Sequence, residues 1–237
     1  MSDPRALLGA AYVEPAVFAL RPDYRALLVV AENLQNGPSD DASAALLQRA
    51  EAYARELSGE GAIEELPHIA AWRDAYRAFG AKPQRTRNSL EALTRRAIDG
   101  LPRVDRLTDL YNAISVLHQI PVGGEDLDHY DGAPHLIRAN GSEAFDTTSS
   151  GQTVTEHPEP GEVVWMDDAG VTCRRWNWRQ GHRTRLTART SRALFIHDAL
   201  EPLTDGQLDA VADALQEHLP RSHDSTEFTR RLLARES

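Results

Sequence analysis

The sequence predicts one α+β domain in which helices pack against mixed or antiparallel sheets. Helical periodicity dominates between residues 40 and 119, whereas short strand-like runs separated by turns dominate between residues 134 and 197. Separate groups of helices and strands along a chain are typical of this class. The 237 residues contain no internal repeat and no Pro/Gly/Ser-rich linker long enough to divide them. We therefore expect one domain over residues 1–237, with residues 222–237 as a peripheral segment.

Two apolar runs near the N-terminus predict strands. The first extends from Ala11 to Leu20, and the second extends from Tyr24 to Leu34 and ends before a turn at Asn36-Gly37-Pro38. The second run contains the block Leu27-Leu28-Val29-Val30, which is typical of a buried strand.

Four helices are predicted next, each from a start signal, an apolar stripe and a stop signal. They extend from Asp40 or Asp41 to Leu57, from Pro67 to a left-handed stop at Gly80, from Asn88 or Ser89 to Ile98, and from Asp105 to Gln119. In the fourth helix the apolar stripe predicts that Asp109, Asn112 and Ser115 lie on or near the opposite side.

The C-terminal half predicts strands joined by turns, followed by two helices. The strand-like runs are Pro134 to Ala139, Glu162 to Met166, Val171 to Trp176, Arg185 to Thr187 and Leu194 to His197. The Asp-Ala-Gly sequence at 168–170 predicts a hairpin. A capping box formed by Thr204 and Gln207 predicts a helix start. A short basic helix from Glu227 to Arg235 is expected at the periphery.

Charge and hydropathy limit the classes of partner. The net charge of -10 argues against a broad nucleic-acid-binding surface, but arginines concentrate in 73–106 and 174–192 and predict a local anion site. No window approaches the roughly 18 to 20 apolar residues of a membrane span, and the N-terminus lacks a secretion signal. We therefore expect a cytoplasmic protein without a membrane partner. The single cysteine, Cys173, cannot form an internal disulfide and is expected to be a strand residue.

The densest group of ligand-capable residues is the stretch from Arg174 to Gln180, which reads Arg-Arg-Trp-Asn-Trp-Arg-Gln. Guanidinium groups bind phosphate or carboxylate through paired hydrogen bonds, and indole faces stack on bases or cations. The stretch therefore predicts a ligand site. The alternative is a buried tryptophan pair on a strand, with solvated arginines between its members.

A second candidate segment is the predicted loop that contains Gly123 and Gly124. Paired glycines permit a ligand to approach the backbone closely, and their free amides can bind an oxyanion or carboxylate. Glu125, Asp126 and Asp128 follow and are candidates for a general base or an ammonium contact. The alternative is a plain turn rich in glycine and aspartate. We expect a pocket between this segment and Arg174 to Gln180.

Other motifs narrow the chemistry. The basic loop from Ala81 to Arg87 is a candidate for a phosphate contact. A phosphate-binding Gly-rich loop, a Gly-x-Ser-x-Gly elbow and a His-Glu-x-x-His motif are all absent. Because the nine histidines are scattered, we expect no metal site. An enzyme with this sequence is expected to activate water with positioned polar groups.

These residues together resemble the tRNA-binding editing domain of the phenylalanyl-tRNA synthetase beta subunit, often called the B-three/B-four domain, and most closely its free-standing relatives. The landmarks are Trp72-Arg73, Gly123-Gly124-Glu125-Asp126 and Arg174 to Gln180, and the resemblance covers about residues 10–220. It implies a mixed α/β fold and metal-independent hydrolysis of the ester that joins a wrong amino acid to tRNA.

Individual positions also match this family. Asn112 corresponds to the asparagine of the family's Thr-Asn pair, and Asp126 corresponds to the aspartate of its Pro-x-His-x-x-Asp loop. Gly123 stands where the family has the histidine of that loop. The stretch from Trp176 to Gln180 replaces a Gly-Gly-Glu segment and is expected to build a different pocket.

The first function that we consider is a deacylase that acts in trans on misacylated tRNA, with the acceptor end and its amino acid as partners and no cofactor. Its expected catalytic residues are Asn112, Glu125 and Asn177. Its expected substrate contacts are Tyr111, Gly123, Gly124, Asp126, Trp176, Trp178, Arg179 and Gln180. Its expected tRNA contacts are Arg85, Arg87, Arg174, Arg175 and Arg183.

Two other function classes fit the same residues. One is a non-catalytic module that binds tRNA, a peptide or an amino acid. The other is an enzyme that acts on a small aminoacyl or amide substrate without tRNA, which would suit the negative charge. The sequence does not fix the amino acid, the tRNA or the oligomeric state, for which a monomer is one option.

Overall fold

The structure, a computed structural model, describes residues 3–149, 151–219 and 226–235 and confirms the α+β class. Its α-helices are α1 (Pro4–Ala10), α2 (Pro15–Leu20), α3 (Asp41–Glu60), α4 (Pro67–Ala78), α5 (Ser89–Asp99), α6 (Arg106–His118) and α7 (Asp205–His218). Its strands are β1 (Tyr12–Val13), β2 (Arg25–Glu32), β3 (Val122–Asp126), β4 (His135–Arg138), β5 (Phe145–Ser149), β6 (Gln152–Glu156), β7 (Val163–Asp167), β8 (Gly170–Arg174), β9 (Arg179–Gln180), β10 (Ala193–Ala199) and β11 (Glu227–Ala234).

The strands form two main sheets and one separate hairpin. The central sheet has the order β11-β2-β10-β3 and is antiparallel throughout. The outer sheet has the order β1-β4-β7-β8-β9, and its one parallel pair is β1 with β4. The separate hairpin consists of β5 and β6.

The central sheet is covered on both faces. Leu27 and Val29 of β2 pack into a core with apolar residues of α3, α6 and α7. Leu28 and Val30 point to the opposite face, where they pack with the outer-sheet residue Trp165. Successive side chains of a strand alternate between faces. A strand buried on both faces has an unbroken apolar sequence, which is what the second N-terminal run shows.

The predicted starts of α3, α5 and α6 are confirmed by their capping hydrogen bonds. Asp40 accepts from the Ser43 backbone, Asn88 accepts from Glu91 and Asp105 accepts from Thr108. Each of these side chains satisfies a backbone N–H that has no partner within its helix. Local sequence signals therefore predicted where these helices begin, including α5 and α6, which form the side of the candidate site described below.

Two predictions near the chain ends are wrong, one of a strand and one of a helix. Most of the run from Ala11 to Leu20 is α2, because Pro15 occupies its first position and favours a helix start. The segment from Glu227 to Ala234 is β11, which pairs with β2 along its full length. Tertiary pairing overrides the weak helical preference of this segment.

The central predictions also need correction. The segment with Gly123 and Gly124 is not a loop but the edge strand β3, and the run from Arg185 to Thr187 forms only an isolated bridge with Glu125. Asp109 and Ser115 are buried rather than on an open side of α6. The Asp109 side chain accepts a hydrogen bond from the Val104 backbone, and this bond closes the turn before α6.

A buried carboxylate connects α4 to α5. Glu91 is fully buried, and both of its oxygens accept from Arg73, at 2.7 and 3.0 Å. Its Oε1 atom also accepts from Arg95 at 3.1 Å, whereas Arg95 has Glu64 as a second partner. Glu91 therefore holds the helix that forms one wall of the site described below.

We expect Glu91→Ala to lower the free energy of unfolding by about 3 to 5 kcal/mol, because it leaves the mostly buried Arg73 without a carboxylate. Glu64→Ala is the matched control, because it removes an exposed partner of the same network. Urea denaturation of both variants measures the difference. Equal losses in the two variants would contradict the assigned role of Glu91.

Candidate functional site

A cavity of about 310 Å³ lies between the central and outer sheets at the β3 edge. Helices α5 and α6 form its side. Its lining residues are Ser89, Ala92, Leu93, Arg96, Tyr111, Asn112, Val122, Gly123, Glu125, Trp165, Cys173, Trp176, Asn177, Trp178, Gln180, Ile196 and Asp198. The structure thus brings the Gly123 segment and the Trp176 to Gln180 segment, about fifty residues apart in sequence, to one cavity.

The floor of the cavity is set by the register between β3 and β10. Gly123 pairs with Ile196 and Glu125 pairs with Leu194, whereas the Asp198 backbone donates to Pro121 at 3.1 Å. Paired residues of antiparallel strands point to the same face. Glu125, Gly123 and Asp198 therefore share one face, with the glycine between the two carboxyl groups.

The tryptophan segment enters the cavity through a turn with two left-handed residues. Arg175 and Trp176 have φ values of 48° and 69°. Such residues cost on the order of 1 to 2 kcal/mol each and persist only where the surroundings impose them. The Trp176 backbone donates to Val163 at 2.7 Å, and its ring, which is fully buried, packs edge-on against Tyr24 and Trp72.

The arginines around this turn are occupied by contacts within the fold. Arg174 is buried and makes two 2.9 Å hydrogen bonds to Glu162. Arg175 also contacts Glu162 and lies over the Trp178 ring at 4.6 Å. Arg179 pairs with Glu156 and Thr147 and does not line the cavity. These guanidinium groups hold Trp178 against the cavity.

The predicted tRNA contacts divide into two groups. Arg174, Arg175 and Arg183 are engaged in ion pairs, the last with Asp167 at 2.6 Å, so they are not free to neutralise a phosphate. Arg85 and Arg87 are exposed, although Arg87 also lies 3.6 Å from Glu91. The sequence could not distinguish the two groups of arginines. The carboxylates that pair with the first group come from other strands or the turns beside them, and this proximity is set by the fold.

Glu125 is a buried carboxyl group of the cavity. It is 2 % exposed, and the Tyr130 hydroxyl donates a hydrogen bond to it. Burial raises its pKa to about 7, despite the opposing effect of that hydrogen bond. Its neutral and ionised forms are therefore both accessible near neutral pH.

Asp198 is a second buried carboxyl group, which the sequence analysis did not identify. It is 3 % exposed and accepts from Tyr24 at 2.6 Å and from Asn177 at 3.4 Å. Burial raises its pKa to about 7 as well. The sequence signal was an aspartate next to His197 inside the otherwise apolar strand β10.

Neither carboxyl group forms an ion pair with any residue that the structure describes. Their hydrogen-bond partners are neutral: Tyr130 for Glu125, and Tyr24 and Asn177 for Asp198. A buried carboxylate without a cation is unfavourable by several kcal/mol, which explains the raised pKa values. The cavity is therefore a place where a bound cation would be stabilised.

Asn177 and Asn112 differ in whether their side-chain amides are already engaged in hydrogen bonds. The Asn177 side chain accepts from Tyr76 at 3.0 Å and donates to Asp198, so both ends of its amide are engaged. Asn112 is half-buried on α6 and lines the cavity. Of the two asparagines, Asn112 is the better placed to contact a ligand.

The two glycines of β3 have different surroundings. The backbone of Gly123 faces β10 within the ladder. Its amide is therefore not available to bind an oxyanion, contrary to the expectation from the sequence. A Cβ at Gly123 would meet nothing within 4 Å, whereas one at Gly124 would lie 2.9 Å from the Tyr111 ring. The Gly124 carbonyl accepts from the Gln180 side chain at 2.7 Å. The missing side chain of Gly123 keeps part of the cavity open, and the missing side chain of Gly124 allows the Tyr111 ring to pack against the strand.

Asp126 lies outside the cavity. Its carboxylate accepts from Thr190 at 2.6 Å and from the Asp128 backbone at 3.1 Å, and therefore shapes the turn after β3. Within the described ranges, no group of three or more His, Cys, Asp or Glu side chains is placed to hold a metal ion. The helices of these ranges include none that is long and apolar enough to cross a membrane.

A family model, described as the B3/4 domain, matches residues 71–232. This range includes every residue that lines the cavity. The chain belongs to the B3/4 domain family. Among solved structures it is similar to an N-terminal fragment of the phenylalanyl-tRNA synthetase beta subunit from Pyrococcus horikoshii, with 12 % identity and a TM-score of 0.46. The match covers 96 % of this chain and 55 % of the fragment, so the chain spans just over half of its length. No curated protein matches the sequence.

Valine substitutions at the two glycines of this B3/4 domain should have different effects. We expect Gly124→Val to lower the free energy of unfolding by about 1 to 3 kcal/mol, because its side chain overlaps Tyr111. Gly123→Val should stay within about 1 kcal/mol of wild type, because its side chain enters open space. Urea denaturation measures both, and a larger loss for Gly123→Val would show that the cavity is misplaced.

Proposed function

We propose that this B3/4 domain hydrolyses the ester of misacylated aminoacyl-tRNA in trans and releases the wrong amino acid. The observation that carries the proposal is a partly open cavity lined by both Asn112 and the buried Glu125, which has no ion-pair partner among the described residues. The resemblance to the editing domain supplies the reaction class. The cavity supplies groups suited to that reaction.

The cavity has the size and chemistry for an aminoacyl group. Its volume of about 310 Å³ lies at the small end of ligand sites, which suits an amino acid rather than a nucleotide. Indole rings form much of its wall. We assign Glu125 to the α-ammonium group, which would provide the positive charge that this carboxylate lacks.

Hydrolysis then needs a water molecule and a donor for the developing oxyanion. The water oxygen bonds to the carbonyl carbon, the bond to the ribose oxygen breaks, and one water proton ends on that ribose oxygen. We assign the Asn112 amide to the carbonyl oxygen, because hydrogen-bond donors placed at the developing charge stabilise the transition state. Asn177 takes a positioning role through Asp198.

The state of Cys173 supports direct attack by water. This thiol lines the cavity, but burial raises its pKa well above the ordinary value. The thiolate is the nucleophilic form of cysteine. An acyl-enzyme on Cys173 is therefore disfavoured.

The nucleic acid would be held by exposed arginines near the cavity. Arg96 on α5 lines the cavity and is exposed, and Arg87 is exposed just before the same helix. We assign the acceptor end to this side, with Arg85 as a further contact. A few such contacts on an acidic protein predict weak, salt-sensitive tRNA binding.

We expect wild type to release the amino acid from at least one misacylated tRNA, and Glu125→Gln and Asn112→Ala each to lower the rate about 10²-fold. The reason is the loss of the ammonium contact in the first variant and of the oxyanion donor in the second. Single-turnover release of radiolabelled amino acid from a panel of mischarged tRNAs measures the rates.

The control is Glu51→Gln, which makes the same change at a carboxylate outside the cavity that accepts from the Leu101 backbone. Its rate should equal that of wild type. Equal rates in all four proteins would refute the assigned roles. Absence of release from every tRNA would favour the non-catalytic binding module.

A further inference from the structure

In the proposed hydrolysis only one of the two buried carboxyl groups of the cavity contacts the substrate. Asp198 is as buried as Glu125, lines the same cavity and has no cationic partner within the described residues. The α-ammonium of an amino acid accounts for one carboxylate. The second one requires a separate explanation.

We propose that the cavity binds an aminoacyl group whose side chain ends in a cationic nitrogen, and that Asp198 binds that nitrogen. The inference rests on the proposed function in assigning the α-ammonium to Glu125. The specificity-determining residue is then Asp198, and the substrate class is a basic amino acid.

The register of the central sheet gives the required length. Glu125 pairs with Leu194, and Asp198 lies four residues farther along β10 on the same face. At about 3.4 Å per residue, the two backbone positions are roughly 14 Å apart along the strand. Strand side chains stand roughly perpendicular to the sheet, so the two carboxyl groups are a comparable distance apart. This distance suits an extended side chain of several methylene groups that has a nitrogen–carboxylate contact at each end.

The surface between the two carboxyl groups fits such a chain. Gly123 presents no side chain there, and the paired Ile196 provides an apolar floor for methylene groups. Trp165 and Trp176 line the same cavity as Asp198. Their rings add apolar surface around this carboxylate, and a low-polarity surrounding strengthens its attraction for an ammonium or guanidinium group.

The hydrogen bonds of Asp198 favour a cation over a neutral hydroxyl group. One oxygen already accepts from Tyr24 and the other from Asn177. Among the described residues this carboxylate therefore has hydrogen-bond donors but no ion-pair partner. A ligand cation would remove the cost of burying the ionised form.

Calorimetric titration of the full chain with two amides tests the inference without tRNA or hydrolysis. Lysinamide and norleucinamide have an α-ammonium group and nearly the same shape, but only lysinamide has a terminal ammonium. At pH 7, where an α-amine with a pKa of about 7.7 to 8.0 is mostly protonated, we expect lysinamide to bind roughly 30-fold more tightly or better, since removing one member of a buried charge pair typically has an effect of this size. The amide of 2,3-diaminopropionate, whose two amino groups are too close together to reach both carboxyl groups, should bind more weakly than lysinamide.

Asp198→Asn should remove the preference for lysinamide while norleucinamide affinity stays near wild type, and thermal unfolding checks that the variant is folded. Gly123→Val fills the cavity and should abolish binding of both amides. Equal affinities in wild type, or no binding of lysinamide, would overturn the inference whatever the variants show. A third outcome is release of a neutral amino acid from tRNA together with equal affinities for the two amides. This result would support the proposed hydrolase function and contradict only the inference of a basic side chain.

Discussion

The buried ion pair between Glu162 and Arg174 determines where the tryptophan segment lies. Glu162 precedes β7 and Arg174 ends β8, so the pair joins neighbouring outer-sheet strands. The Arg175 backbone also donates to Glu162, which supports the left-handed conformation at that residue. Breaking a buried pair leaves an uncompensated charge, so this arrangement has few alternatives. It directs Trp176 into the core and Trp178 toward the cavity.

The same turn connects the outer sheet to the floor of the cavity. Asn177, between the two tryptophans, donates to Asp198 on β10 and accepts from Tyr76 on α4. The position of Asp198 therefore depends on elements from both sheets and from one helix. Neither carboxyl group of the cavity forms an ion pair with a described residue, and Arg174, Arg175 and Arg179 of this turn pair with other carboxylates. In their ionised forms these two groups would offer negative charge to a cationic ligand.

Helix boundaries could be predicted from sequence because capping is local: Asn88 and Asp105 bond to backbone groups three residues away. The meeting of the Gly123 and Trp178 segments was also expected, since both are rich in ligand-capable groups. The role of Asp198 could not be predicted, because its face is set by a register between strands about seventy residues apart. For the same reason the sequence did not distinguish the exposed Arg85 and Arg87 from the less exposed arginines that pair with carboxylates of neighbouring strands. The strand β11, which pairs with β2, was mistaken for a helix.

The central claim is that Glu125 and Asp198 are buried in one cavity and have no ion-pair partner among the residues that the structure describes. Carbon-detected NMR of the side-chain carboxyl groups tests it most directly, with the two resonances assigned through Glu125→Gln and Asp198→Asn. In the ligand-free protein we expect the pKa of both groups to be about 7, because burial disfavours their ionised forms. Titration of both groups near pH 4, as for solvent-exposed carboxyl groups, would contradict the account.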